Sequence, residues 1–167
     1  MKNFFLISFF IFSFFIVGSI STLFVISERT QNIIMESFNV KTFLNKKVKI
    51  YKKKVIYCTL LLTGEKEIKK LNKKFRKKNK STDVLSFPFY GKAELNKKLK
   101  KEKEIYLGDI VININEIKSK QNKDYFKIEF NKLWIHGLVH LFGYDHKRNK
   151  DFNNMNRIEK KYLSYLE

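Results

Sequence analysis

The stretch HGLVHLFGYDH, residues 136 to 146, contains every histidine of the chain, and its reading decides how the surrounding sequence folds. His136 and His140 are four residues apart, so on an α-helix they project from one face about 6 Å from each other. Upstream, Phe126, Phe130 and Leu133 recur at helical spacing with Leu138 and Leu141, which predicts a long, buried helix from about Asn115 to Gly143. Glycine adopts the left-handed conformation that ends a helix, so Gly143 can reverse the chain and return His146 to the face that carries the other two.

Three neutral imidazoles at this spacing suit one Zn²⁺ ion. No cysteine or fourth histidine stands nearby and no carboxylate is evident as a ligand, so the remaining position is expected to be open to water, as in catalytic sites. Zinc lowers the pKa of its water to about 7 and polarises a substrate oxygen, which makes hydrolysis the natural chemistry. The competing readings are histidines that merely pack or cap a helix, or a metal with a structural role.

The same spacing, with glycine seven residues after the first histidine, is shared with metzincin-type peptidases, which read HExxHxxGxxH. Those enzymes need the Glu beside the first histidine as general base. Here that position is Gly137, with no carboxylate before Asp145, so a peptidase would require a base from outside the helix, such as Glu116 or Glu129. A phosphodiester needs less: a metal and a cation to offset charge on the transition state. Arg76 is the candidate cation, one of only four arginines among 35 basic residues, with a planar fork suited to phosphate. Asp83 and Asp145 are candidates to orient histidines or substrate, since metal-bound imidazoles donate their other N–H to a nearby oxygen; Asp83 can equally cap a turn.

Outward from the histidines, Val55 to Thr63 is an unbroken run of apolar and β-branched residues closed by Gly64, which predicts a buried strand. Glu65 and Glu67 sit in the first turn of a following helix, where Ile68, Leu71 and Phe75 form a core-facing stripe and Arg76 marks the end. NKSTDVLSFPF, residues 79 to 89, reads as a turn into a short edge strand ended by Pro88, the only proline. LGDIVINI, residues 107 to 114, is another strand, and the charged stretch between, residues 91 to 104, is expected to be a surface loop. Ile33, Ile34, Phe38, Phe43 and Leu44 predict an amphipathic helix over residues 33 to 47. Phe152, Met155, Ile158, Leu163 and Leu166 predict a C-terminal helix. The layout is α+β: a single domain of helices packed on one mixed sheet, from residue 22 to residue 167.

Residues 1 to 21 differ in character. Residues 4 to 27 carry no charge and are long enough to cross a bilayer, yet eight of the chain's 17 Phe fall in the first 24 residues. The preferred reading is a start placed too early, with STLFVIS, residues 21 to 27, as the first strand; a membrane anchor is the alternative, and a membrane partner follows only from it. Cys58 is the single cysteine, so no intramolecular disulfide forms and a reducing, cytoplasmic setting is expected. The net charge of +19 suits a polyanion, but the excess of lysine over arginine also matches AT-rich codon usage, so charge alone selects no partner.

Three blocks, LNKKFRKKNKSTDVLSFPF at 71 to 89, LGDIVI at 107 to 112 and HGLVHLFGYDH at 136 to 146, together resemble the YbeY family of bacterial metal-dependent endoribonucleases in order and spacing. The resemblance covers about residues 22 to 167. It implies a zincin-like fold with its metal-binding helix near the C-terminus, one zinc on His136, His140 and His146, and a functional arginine at Arg76. It further implies cleavage of single-stranded RNA, maturation of the 3′ end of small-subunit rRNA and late ribosome quality control, with the ribosome or its small subunit as partner. A zinc peptidase and a non-catalytic ribosome assembly factor with structural zinc remain the alternatives.

Overall fold

The central strand of the sheet is the apolar run foreseen from the sequence. In the computed structural model, which describes residues 23–25, 34–38, 53–118, 122–146 and 148–166, this strand is β3, Val55–Thr63, preceded by β1, Leu23–Val25, and β2, Ile34–Phe38. Then come α1, Glu65–Arg76; β4, Val84–Pro88; α2, Lys92–Lys101; and β5, Glu104–Asn113. A 3-10 turn at Ile114–Glu116 leads to α3, Lys123–Leu141, and α4, Asn149–Leu163. The described strands form one sheet in the order β1-β2-β3-β5-β4, in which β3 and β5 are parallel and every other pair antiparallel. The fold is α+β with a mixed sheet, and β4 is an edge strand ending at Pro88, as expected.

Alternation along the strands divides the core between the two faces. Ile56, Cys58 and Leu60 of β3 join Ile105, Leu107, Ile110 and Ile112 of β5 against Trp134, Ile135, Leu138 and Leu141 of α3. Val111, Leu85 and Phe87 turn the other way and meet Ile68, Leu71 and Phe75 of α1. Burial pushes the Cys58 thiol up to about 12, which keeps it protonated at neutral pH.

Four sequence expectations are corrected. Ile34–Phe38 is a strand paired with Cys58 to Leu62 rather than part of a helix over 33 to 47, because the free flank of β3 takes it as a hydrogen-bonded partner. The stretch 91 to 104 contains α2 rather than a loop, and Leu95, only 1% exposed, anchors that helix to the core. The histidine helix begins at Lys123, not near Asn115, where the Asn122 side chain accepts from the N–H groups of Asp124 and Tyr125. Phe152, expected in the buried stripe of α4, is 54% exposed, while Met155 is buried. The apolar stretch 1 to 21 lies outside the described residues, among which no helix is long and apolar enough to cross a membrane.

Candidate metal centre

The C-terminal turn of α3 builds the site. Gly143 sits at φ +80, and its N–H bonds to His140 O at 2.9 Å while Tyr144 N–H bonds to Val139 O at 3.3 Å. This pair of bonds is the Schellman ending that a left-handed glycine permits. The reversed chain carries His146 back across the helix face. Its ring centroid lies 5.6 Å from that of His136 and 5.1 Å from that of His140. One ring nitrogen from each of the three histidines lies within 4.8 Å of the others.

The hydrogen-bond partners fix which nitrogens face the centre. A carbonyl only accepts, so His140 Nδ1 carries the proton it donates to Tyr144 O at 2.9 Å. His136 Nδ1 donates likewise to the Glu159 carboxylate of α4 at 2.8 Å. In a neutral imidazole so bonded the lone pair sits on Nε2, and the two Nε2 atoms lie 3.1 Å apart. One metal ion shared between them engages both lone pairs. A tetrahedral zinc site with Zn–N near 2.1 Å asks for nitrogens about 3.4 Å apart, so the donor set fits. Burial, then the neighbouring His136 imidazole, holds His140 below its ordinary pKa, which keeps it in the neutral form a metal requires.

Gly137, next round the helix from His136, faces the sheet. A Cβ there would lie 2.6 Å from Ile110 Cγ2 and 3.2 Å from Ser86 Oγ. Glycine is required because α3 lies directly on β4 and β5, so the position that holds the base in metzincins has no room here for a glutamate. Glu129 is engaged elsewhere, accepting from Lys118 N–H at 3.0 Å, and Glu116 is exposed on the 3-10 turn.

Arg76 is the exposed last residue of α1, and its Nη2 reaches Ser86 O of the edge strand at 3.5 Å. Its placement follows from the turn beyond it. Lys77 adopts φ 60 and donates its N–H to Asn72 O, and the buried Asn72 side chain bonds Lys80 O at 2.7 Å. Arg76 thus meets β4 at Ser86, the residue whose hydroxyl abuts Gly137, next in sequence to His136. Asp83 caps the start of β4 by accepting from Val84 N–H at 2.8 Å, and Asp145 accepts from His146 N–H at 2.8 Å. Neither contact is to an imidazole. Glu159 orients His136 and the Tyr144 carbonyl orients His140, and sequence reasoning missed both: one comes from a separate helix and the other is backbone.

With this geometry in view, the relatives are informative. A family model described as "Endoribonuclease YbeY" matches residues 24–167. Proteins named endoribonuclease YbeY from Pelagibacter ubique and Buchnera aphidicola (from Acyrthosiphon pisum) are 46% and 40% identical to it. These matches cover 71% and 72% of this chain and 79% and 74% of the relatives. A Thermodesulfovibrio yellowstonii protein of the same name is 29% identical over 83% of this chain and 85% of its own. A Thermotoga maritima protein solved in solution is 30% identical, covering 75% of this chain and 79% of its own, with a TM-score of 0.46. The match across residues 24–167 and the identity to these relatives agree with the three sequence blocks and the histidine geometry: the chain belongs to the endoribonuclease YbeY family.

Proposed function

We propose that residues 22–167 form a zinc-dependent endoribonuclease that cleaves single-stranded RNA. Its substrate is ribosomal RNA, at the 3′ end of the small-subunit species, and it serves ribosome quality control in the cytoplasm. One observation carries the reading: two imidazoles, each held through Nδ1, direct bare Nε2 atoms at a common point beside His146. The family supports the choice of RNA, and the sealed position of Gly137 weighs against a peptidase.

Zinc held by His136, His140 and His146 supplies a Lewis acid and a water acidified enough to act near neutral pH. The remaining work belongs to the chain. Glu159 and the Tyr144 carbonyl fix ring orientation and tautomer, so the Nε2 lone pairs need not reorganise. Arg76, exposed beside the edge strand, holds a non-bridging phosphate oxygen pair through its guanidinium fork and offsets the charge gained in the transition state. His136 and His140 are partly exposed and His146 is exposed, so a substrate can reach the site from solvent.

The test is incubation of pure protein with single-stranded RNA and, separately, with casein. RNA cleavage that is lost in His140→Ala together with the metal, and strongly reduced in Arg76→Ala with the metal retained, is expected. Casein cleavage without RNA cleavage would favour the peptidase.

A further inference from the structure

Among the described residues, α1 covers only part of its face of the sheet. Phe75 in the last turn of α1 meets Phe87 at 5.2 Å, and the helix stops one residue later. Beyond it the strands continue. Phe87 is level with Asp109 and Asp109 with Thr59, and Tyr106 is level with Tyr57. Gly108 makes this continuation possible: at φ +132 it inserts a bulge, and any Cβ there would meet Phe87 O at 2.2 Å. Phe89 N–H bonds Leu107 O at 2.9 Å, which sets the Phe89 ring beside Tyr106.

The result is an aromatic row in which the Tyr57 and Phe89 rings are exposed, while Tyr90 at its end packs against the α3-side core. Tyr106 lies 5.3 Å from Tyr57 and 5.5 Å from Phe89, and Phe89 lies 4.8 Å from Tyr90. Tyr57 is 37% and Phe89 47% exposed, high for rings set on a sheet. Tyr106 is held from below, its hydroxyl donating to Asp109 and lying 3.1 Å from Thr59 Oγ1. The outer side of α1 presents Lys70, Lys73, Lys74 and Lys77 around one open concavity, and Lys74 Nζ stands 5.2 Å from the Phe75 ring. Lys98 Nζ stands 5.5 Å from the Tyr90 ring.

We propose that this aromatic row is a stacking platform for bases of a single-stranded RNA whose phosphates run along the lysines on the outer side of α1. The inference rests on the nuclease reading and gives its substrate a second contact surface, outside the metal centre. Unpaired bases offer π-faces to aromatic rings, and a phosphate chain answers a lysine row; single-stranded nucleic acid carries both at once. A duplex hides its bases, and an apolar protein surface leaves the lysines unanswered. Arg76 ends α1 and reaches Ser86 O on the edge strand, one residue before Phe87.

The experiment measures affinity of the full chain for a fluorescent single-stranded RNA of mixed sequence by anisotropy, over a salt series, before cleavage sets in. Tyr57→Ser with Phe89→Ser is expected to weaken binding roughly ten- to a hundredfold, with an unchanged salt slope and unchanged metal content. Tyr57→Phe keeps its ring and is expected to bind as the parent does. Lys74→Gln with Lys77→Gln is expected to reduce the salt slope by about two. If the double serine variant binds RNA as tightly as the parent, the platform is overturned, and a partner of another class occupies the face. If the parent binds RNA in this ring-dependent way but cleaves none, the nuclease reading fails while the platform stands.

Discussion

His136 and Glu159, on α3 and α4, meet through Nδ1 and Oε1 at 2.8 Å, so the packing of two helices sets the orientation of a metal ligand. Removing a carboxylate in this role typically lowers metal affinity ten- to a hundredfold. Glu159→Ala is expected to lose zinc affinity by about that factor, and Glu159→Gln, which still accepts the N–H, by less. Competition against a chromophoric chelator reads both, and equal affinity in Glu159→Ala and the parent would show that the contact does not orient the ligand.

Gly137 packs where a side chain would collide with Ile110. Gly137→Ala is expected to destabilise the fold by about 1–3 kcal/mol, as overpacking does. Urea unfolding followed by far-ultraviolet circular dichroism checks this. Gly137→Glu is expected to fail as a route to peptidase activity, since its carboxylate enters the sheet rather than the site.

Gly143 acts on both folding and the site. At φ +80 with Lys92 Cβ 2.9 Å from its would-be Cβ, Gly143→Ala is expected to cost about 1–3 kcal/mol. It also displaces His146, so zinc should raise the melting temperature of the variant less than that of the parent. Scanning calorimetry with and without zinc decides it, and an equal zinc-induced shift would contradict the role given to the turn.

Asp109 gives a pH dependence outside the metal site. Burial raises its pKa above the ordinary carboxylate value, and the hydrogen bonds from Tyr106 and Thr59 only partly oppose this. A carboxyl raised on folding favours the native state below its unfolded pKa of about 3.9, and that advantage is lost as pH climbs through the folded value. Asp109→Asn is therefore expected to be more stable than the parent at pH 7, with the difference shrinking as pH falls toward 4. Urea midpoints across that range test the sign.

Where residues signalled structure locally, the sequence was readable. The apolar run of β3 and the striped helix α1, with Glu65 and Glu67 in its first turn, appear with the expected bounds, and the His spacing with Gly143 foretold the convergence of three rings. What escaped depended on distant partners or thin signals. The helix α2 buries chiefly Leu95 among many lysines, too little apolar content to register against the charge. Ile34–Phe38 has apolar residues that fit either period, and its pairing with β3 decides the outcome. Glu159 was not singled out, because nothing near it in sequence shows that it faces His136.

The central claim is that His136, His140 and His146 hold one metal ion with which the chain cuts RNA. The most direct measurement is elemental analysis of purified protein and of His140→Ala, paired with RNA cleavage by the same samples. The expected result is one zinc per parent chain, with metal and cleavage lost together in the variant. A parent that neither contains nor takes up a transition metal, or a metal-free His140→Ala protein that cleaves at the full rate, would contradict it.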